Sequence, residues 1–526
     1  MTKHKPEVST NGSFVQKSRR SILRMIFGRT MVILLLLLAN FALAFSFLFE
    51  FFQGLPILFG SVEVFTAAML IYVINSRDNP SVKLSWAFVI ATVPLLGAVL
   101  YCFVRVDLGH RLNRKLLDFS IQSSTPFMPE QEALARQIRQ EDKGLYNLAH
   151  YLRNHGNFPV YTNTQVTYFP LGEDMFREML RQMEMAEKFI FLEFFLISEE
   201  YMWDSILDVL HRKASKGVEV RVLYDGMNAF TNLPYGYPKE LEKMGIQCKM
   251  FAPIRPFIST HYNNRDHRKI LVVDGHTAFT GGVNLQDRYI NREAIFGHWK
   301  DTAVMLHGDG AQSFTMMFLQ MWNYNERERI FAPYLTLPNP PIPSKGYVIP
   351  YGDSPMDDER VGEMVYLDII NRARDYVYIM TPYLIPDNEL VTALQFAAKR
   401  GVDVRLILPG IPDKRTIYAL SRSYYRELLE AGVKIYEYAP GFVHAKVMLS
   451  DDLHGVVGTI NLDYRSLYHH FECAAYLYDV PALDDIRSDF NRTLEKCRRI
   501  YMGQRIHQSL FARLFAYLAK FAAPLM

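Results

Sequence analysis

His267-Arg-Lys269-Ile-Leu-Val-Val-Asp274 and His444-Ala-Lys446-Val-Met-Leu-Ser-Asp451 are two copies of one pattern, His-x-Lys-x4-Asp. Each is followed at the same offset by a small-small-x-Asn tail, Gly281-Gly282-Val-Asn284 in the first and Gly458-Thr459-Ile-Asn461 in the second. A chain of this length holds about 0.05 such patterns by chance at ordinary residue frequencies. Two with matching tails mark an internal duplication.

The similarity spreads outward from the histidines. Ala186-Glu-Lys-Phe-Ile-Phe-Leu-Glu parallels Ala373-Arg-Asp-Tyr-Val-Tyr-Ile-Met, and Lys216-Gly217-Val-Glu-Val-Arg-Val-Leu223 parallels Arg400-Gly401-Val-Asp-Val-Arg-Leu-Ile407. Leu241-Glu-Lys-Met-Gly245 parallels Leu429-Glu-Ala-Gly432. Phe189 to Phe195 and Val218 to Leu223 read as short strands. Trp203 to Lys216 reads as a helix that Gly217 ends. Strands alternating with helices predict an α/β protein in which helices cover both faces of each sheet. The predicted fold is two pseudo-symmetric halves with mixed sheets, after an N-terminal helical membrane region. Boundaries fall at 1–110 for that region, 111–345 and 346–505 for the halves, and 506–526 for an amphipathic tail.

The N-terminal region is apolar. Met31 to Phe49 carries no charge and has about the length that crosses a bilayer core. It follows Lys17, Arg19, Arg20, Arg24 and Arg29, and is too long for the core of a cleaved leader. Leu55 to Asn75 is a weaker candidate because it contains Glu63. Leu84 to Val104 is charge-free, with Pro94 as an expected kink. The basic N-terminus argues for a cytoplasmic start, whereas Arg105, Arg111, Arg114 and Lys115 argue that the last segment also ends there. Three spans conflict with this; two spans plus one re-entrant or surface-lying segment agree with it. The expected location is a bacterial cell membrane, in multi-pass form. The tail from Leu510 to Ala523 fits either an anionic membrane surface or core packing.

The net charge of +3 on 526 residues gives no electrostatic footprint for nucleic acid. Four scattered cysteines, Cys102, Cys248, Cys473 and Cys497, form neither a disulfide framework nor a metal site.

On a strand, residues i and i+2 share a face, so His-x-Lys aims an imidazole and an ammonium the same way. Two such pairs suit a phosphodiester. One histidine attacks phosphorus, the other protonates the leaving oxygen and later deprotonates the acceptor, and no cofactor or metal is required. Lys269, Lys446, Asn284, Asn461 and the Thr459 hydroxyl are the expected donors around the non-bridging oxygens. Asp274 and Asp451 complete the motif as candidate catalytic residues, although a turn role after each strand is an equal reading. Asp301 and Glu472, in equivalent polar breaks, are the candidate acids that orient the histidines. Otherwise they are carboxylates at strand starts.

These motifs, with Asn79-Pro80, Pro94-Leu-Leu-Gly97-Ala-Val-Leu-Tyr101, Asn264-Arg-Asp-His267, Trp299-Lys-Asp301-Thr and Asn461-Leu-Asp463-Tyr-Arg465-Ser466, resemble the phospholipase D superfamily. Within it they resemble the bacterial cardiolipin synthases, over essentially all of residues 60–526. Thr459 stands where serine is common, and there is one apolar segment more than the usual pair. The resemblance implies transfer of a phosphatidyl group from one phosphatidylglycerol to another, giving cardiolipin and glycerol through a phosphohistidine. By the same analogy His267 is the nucleophile. Phosphatidylglycerol and membrane lipids are the expected partners, nucleic acid is not, and a homo-oligomer is compatible with the sequence.

A phospholipid hydrolase is the nearest alternative, since acceptor choice depends on pocket shape and water exclusion. A nuclease and a non-catalytic membrane scaffold fit less well. Of the other histidines near the motifs, His261, His298, His469 and His470 are expected at the surface or in support. Arg288 and Arg465, each four residues after a motif asparagine, suit a structural ion pair or headgroup binding equally. Arg255 to Asn264 is either a border of the lipid entrance or an ordinary loop.

Overall fold

The computed structural model describes residues 56–105, 108–129, 131–253, 264–335, 337, 340–503 and 518–525. The apolar run from Met31 to Phe49, most of Arg255 to Asn264 and most of the C-terminal tail lie outside the described residues. The chain divides after Val106 into two compact units, and both predicted halves belong to the second.

In the first unit, α1 (Pro56–Ile74), α2 (Pro80–Thr92) and α3 (Pro94–Arg105) follow one another. Leu84 to Val104 is therefore not one spanning helix, and the expectation of a kinked span is corrected. Pro94 has no N–H and its ring clashes with the preceding turn, so the helix stops at Val93 (φ −137°, ψ 71°). The two pieces fold back on each other. Trp86 and Tyr101 come within 5.3 Å, centroid to centroid, at 74°. Gly97 makes this approach possible, since a Cβ there would lie 2.8 Å from the Val89 carbonyl oxygen. An ion pair between Asp78 and Arg105 ties the ends of the hairpin. Among the described residues, no helix is long and apolar enough to cross a membrane.

The second unit holds the duplication. The first half contributes β1 (Thr164–Phe169), β2 (Phe189–Phe194), β3 (Glu219–Asp225), β4 (Gln247–Phe251), β5 (Arg265–Asp266), β6 (Lys269–Val273), β7 (Thr277–Gly281), β8 (His298–Lys300) and β9 (Ala303–Gly308). Its sheet runs β1-β9-β7-β6-β2-β3-β4. The second half adds β10 (Tyr347–Asp353), β11 (Tyr376–Met380), β12 (Leu384–Ile385), β13 (Asp403–Pro409), β14 (Lys434–Tyr438), β15 (Gly441–Val443), β16 (Val447–Ser450), β17 (His454–Gly458), β18 (Leu462–Asp463), β19 (His470–Tyr478) and β20 (Cys497–Ile500). Its order, β10-β19-β17-β16-β11-β13-β14-β20, repeats the first with one extra edge strand. In both, the crossover strands pair in parallel (β2·β3, β11·β13) while the motif strand pairs antiparallel (β2·β6, β11·β16). The sheets are mixed for that reason.

Period-two alternation splits each sheet between two cores. Along β2, Ile190, Leu192 and Phe194 face outward to Met175, Met179 and Trp203 of the flanking helices, whereas Phe189 and Phe191 face inward. The inner core draws on both halves: Phe191, Ile270 and Val304 from one, Met380, Val447 and Leu477 from the other. Helix Ala311–Asn323 is enclosed in it and buries every residue except Gln320. A third core, including Val377, Ile379, Val365 and Leu394, covers the far face of the second sheet. Burial at about 25 cal/mol per Å² over this shared layer fuses the halves, so neither sheet has a second face without its partner.

Candidate active site

The motif histidines sit where each half reaches into the other. β5, just before His267, pairs with β19 of the second half, and the His267 N–H donates to the Phe471 carbonyl at 2.9 Å. In the mirror arrangement, β15, just before His444, pairs with β8 of the first half, and the His444 N–H donates to the Lys300 carbonyl at 2.7 Å. These cross-pairings set the partners. His267 Nδ1 lies 2.9 and 3.0 Å from the two Glu472 oxygens, and His444 Nδ1 lies 2.7 Å from Asp301 Oδ2. Each acid thus orients the histidine of the opposite half. A carboxylate only accepts, so both Nδ1 atoms carry the hydrogen and both Nε2 atoms keep a free lone pair.

The acids are held differently. Glu472 accepts from Thr459 Oγ1 and from Ser466 Oγ, the latter at 2.6 Å. Asp301 accepts the Thr302 N–H at 2.9 Å and the Trp299 indole at 3.4 Å. Gly282, the counterpart of Thr459, leaves room for it, since a Cβ there would collide with Asp301 Oδ1. Both acids are fully buried.

Lys269 Nζ donates to the carbonyl of His267 at 2.5 Å, and Lys446 does the same to His444. The electrostatics bind the two motifs into one site. His267 is held well below the usual imidazole value, by burial first and then by Lys269, Lys446 and His444. His444 is pushed to about 4 by burial and Lys446, against the upward pull of Asp301. Burial brings Lys269 to about 8 and Lys446 to about 7. Asp301 stays below the usual carboxylate range because His444 and Lys446 outweigh the cost of its burial. Burial and the two lysines thus lower both histidines, and an anion between the lysines would raise the histidines' affinity for protons.

The remaining expected residues fall into place unevenly. Asn284 Nδ2 donates to the Tyr289 hydroxyl at 2.7 Å and its Oδ1 accepts the Leu196 N–H at 3.2 Å. It secures the ring that lies 5.4 Å from His444 rather than presenting a free amide. Asn461 is buried, and among the described residues its Oδ1 has no hydrogen-bond partner. Asp274 and Asp451 are not brought to the histidines, which corrects their inclusion in the catalytic set. Asp274 stands five residues beyond Lys269 along an extended strand, about 16 Å away. Its carboxylate accepts the N–H groups of Glu187, Lys188 and Phe189, each at 2.8 Å. Asp451 accepts those of Arg374, Asp375 and Tyr376 at 2.8–3.0 Å. Both occupy left-handed turns (φ 53° and 54°), which Asp tolerates, and clamp the start of the neighbouring strand.

Several residues of the site were given no specific role from the sequence. Trp299 and Phe442 wall His444 at 5.2 and 6.1 Å, and Phe195 stands 5.0 Å from His267. Of the two places expected for His470, surface or support, the structure gives the second: it is buried, with its ring 5.3 Å from His267. Ser466 was visible only as part of the Asp463-Tyr-Arg465-Ser466 string. His298 is half-buried on β8 against the Tyr438 hydroxyl, 3.2 Å away, and His261 lies outside the described residues.

Residues 179–322 and 366–494 match the family model described as cardiolipin synthase, phospholipase D-like domain, and residues 64–105 match the phospholipase D-nuclease N-terminal model. A cardiolipin synthase of Alkalihalophilus pseudofirmus is 33% identical over 506 residues, covering 93% of this chain and 99% of that one. Cardiolipin synthase 2 of Bacillus cereus is 34% identical, covering 89% and 90%. An uncharacterized Streptococcus mutans protein is 52% identical over 87% of this chain and 99% of its own. The crystal structure of phosphatidylserine synthase from Haemophilus influenzae shares the fold, with a TM-score of 0.56 at 15% identity over 73% of this chain and 98% of that one.

Two fused, pseudo-symmetric halves with crossed histidine–carboxylate pairs make this an enzyme of the phospholipase D superfamily. Within that superfamily, the chain belongs to the cardiolipin synthase family.

Proposed function

We propose that the enzyme transfers a phosphatidyl group from one phosphatidylglycerol to a second, releasing glycerol and forming cardiolipin. The crossed pairing carries the reading: each imidazole keeps a bare Nε2 backed by an acid from the other half. In the first step His267 Nε2 attacks phosphorus and the bond to the glycerol oxygen breaks. That oxygen takes a proton from His444, leaving a phosphohistidine. In the second step neutral His444 accepts the proton of the incoming primary hydroxyl, whose oxygen attacks phosphorus and frees His267. Lys269 and Lys446 neutralise the charge that builds on the non-bridging oxygens. His444 becomes an acid because the negative phosphate offsets the lysines and raises its affinity for a proton, while Asp301 favours the imidazolium. Glu472 serves the attacking imidazole in the same way.

We place the enzyme in a bacterial cell membrane as a multi-pass protein, with the catalytic unit working on membrane phospholipids. The test is purified full-length protein in detergent with labelled phosphatidylglycerol as the sole lipid. Cardiolipin with an equimolar yield of glycerol is expected. Phosphatidic acid alone would make it a hydrolase, and His267→Ala or His444→Ala with full turnover would overturn the mechanism.

A further inference from the structure

The arginines that follow the two motif asparagines are not equivalent in the structure. Arg288 is engaged: its Nε donates to Gln286 Oε1 at 2.9 Å, and its guanidinium lies 5.5 and 5.8 Å from the Tyr289 and Trp299 rings. Arg465 is exposed, on the short helix Tyr464–Tyr468 whose Ser466 holds Glu472. Its side chain forms no hydrogen bond or ion pair with any described residue. The acid that acts on it, Asp463, is buried and caps the Ser466 N–H at 2.9 Å. The charge of Arg465 nevertheless reaches His267 and His470.

His470 adds a second observation. It is 8% exposed, and among the described residues neither ring nitrogen has a hydrogen-bond partner. Its ring stands 5.3 Å from His267, and its Nδ1 is 3.7 Å from Glu472 Oε1. A buried imidazole without a hydrogen bond is unfavourable, and a ligand beside it relieves that cost. Among the described residues, a guanidinium without an ion pair and an imidazole without a hydrogen bond thus lie on the His267 side, with no counterpart around His444.

Transfer between two phospholipids brings two phosphates to one site. The reacting phosphate has Lys269 and Lys446. The acceptor carries a phosphate of its own, separated from the attacking hydroxyl by only the three glycerol carbons. Resting on the phosphatidyl-transfer reading, we propose that Arg465, with His470 beside it, is the docking point for the phosphate of the acceptor lipid. A guanidinium suits this role because it gives paired, charge-assisted hydrogen bonds to phosphate oxygens.

The test gives one phosphoenzyme two acceptors. Full-length protein in detergent is supplied with phosphatidylglycerol and labelled glycerol. Cardiolipin forms from an acceptor that carries phosphate, and labelled phosphatidylglycerol from one that does not. Arg465→Gln should lower the ratio of cardiolipin to labelled phosphatidylglycerol by about tenfold or more, the size of one lost charge-assisted hydrogen bond. Arg465→Lys should restore much of it. Equal loss of both products, or an unchanged ratio, would overturn the proposal. If the wild-type protein exchanges glycerol but makes no cardiolipin, the synthase reading fails on its own. The subsite is then read from inhibition of glycerol exchange by glycerol 3-phosphate. Inhibition about tenfold weaker in Arg465→Gln supports it, and equal inhibition overturns it.

Discussion

Asp301→Asn tests which histidine does which task. Asp301 is fully buried with its Oδ2 2.7 Å from His444 Nδ1, and its charge is what favours the imidazolium against burial and Lys446. Opposite charges about 4 Å apart at an effective dielectric of 20 interact by about 4 kcal/mol. At 1.36 kcal/mol per decade, losing this term should cost about a thousandfold whenever His444 must carry a proton. Glycerol is a poor leaving group and needs that proton. p-Nitrophenolate does not. With phosphatidyl-p-nitrophenol as donor, the burst of nitrophenol should fall less than tenfold in Asp301→Asn, against about a thousandfold on phosphatidylglycerol. Glu472→Gln weakens the nucleophile itself and should lose on the order of a hundredfold or more on both donors. Equal losses of Asp301→Asn on the two donors would refute His444 as the acid. Rescue of Glu472→Gln by the nitrophenyl donor would exchange the roles of the two histidines.

Three further outcomes follow from the geometry. Asp274→Ala strips the acceptor from three backbone N–H groups and should destabilise the protein by about 3 kcal/mol or more, read by chemical denaturation, while kcat per folded molecule stays near wild type. Thr459→Val removes a hydroxyl that donates to Glu472 and accepts the Cys473 N–H at 3.0 Å. It should lower kcat about tenfold, whereas Thr459→Ser should not. Lys446 titrates at about 7 when folded, against an ordinary 10.5, so from pH 7 to 10 the unfolded chain binds more protons and this residue makes stability rise with pH. The stability difference between wild type and Lys446→Met should therefore shift in favour of wild type across that window. A difference that is flat with pH would mean that the ammonium is not depressed.

The sequence alone carried the duplication, the α/β class and the two reactive pairs, because those depend on local pattern. Short β-rich runs, the glycine at 217 and the repeated His-x-Lys are legible within a dozen residues, and the observed strands Phe189–Phe194 and Glu219–Asp225 and helix Tyr201–Ser215 lie within one or two residues of the reading. It also singled out Asp301 and Glu472, from their equivalent places in the two halves. What it lacked was partnership across long separations. That Glu472 serves His267 and Asp301 serves His444 depends on β5 pairing with β19 and β15 with β8, contacts that no local window contains. Asp274 and Asp451 read equally as catalysts or as turn residues until three converging N–H groups decided the matter for each. Pro94 announced a break in the third apolar segment, but only packing of Trp86 on Tyr101 turned the kink into a hairpin. Residue chemistry is written in the chain. Which groups face one another is decided by burial of the core shared between the two sheets, and that is a property of the folded whole.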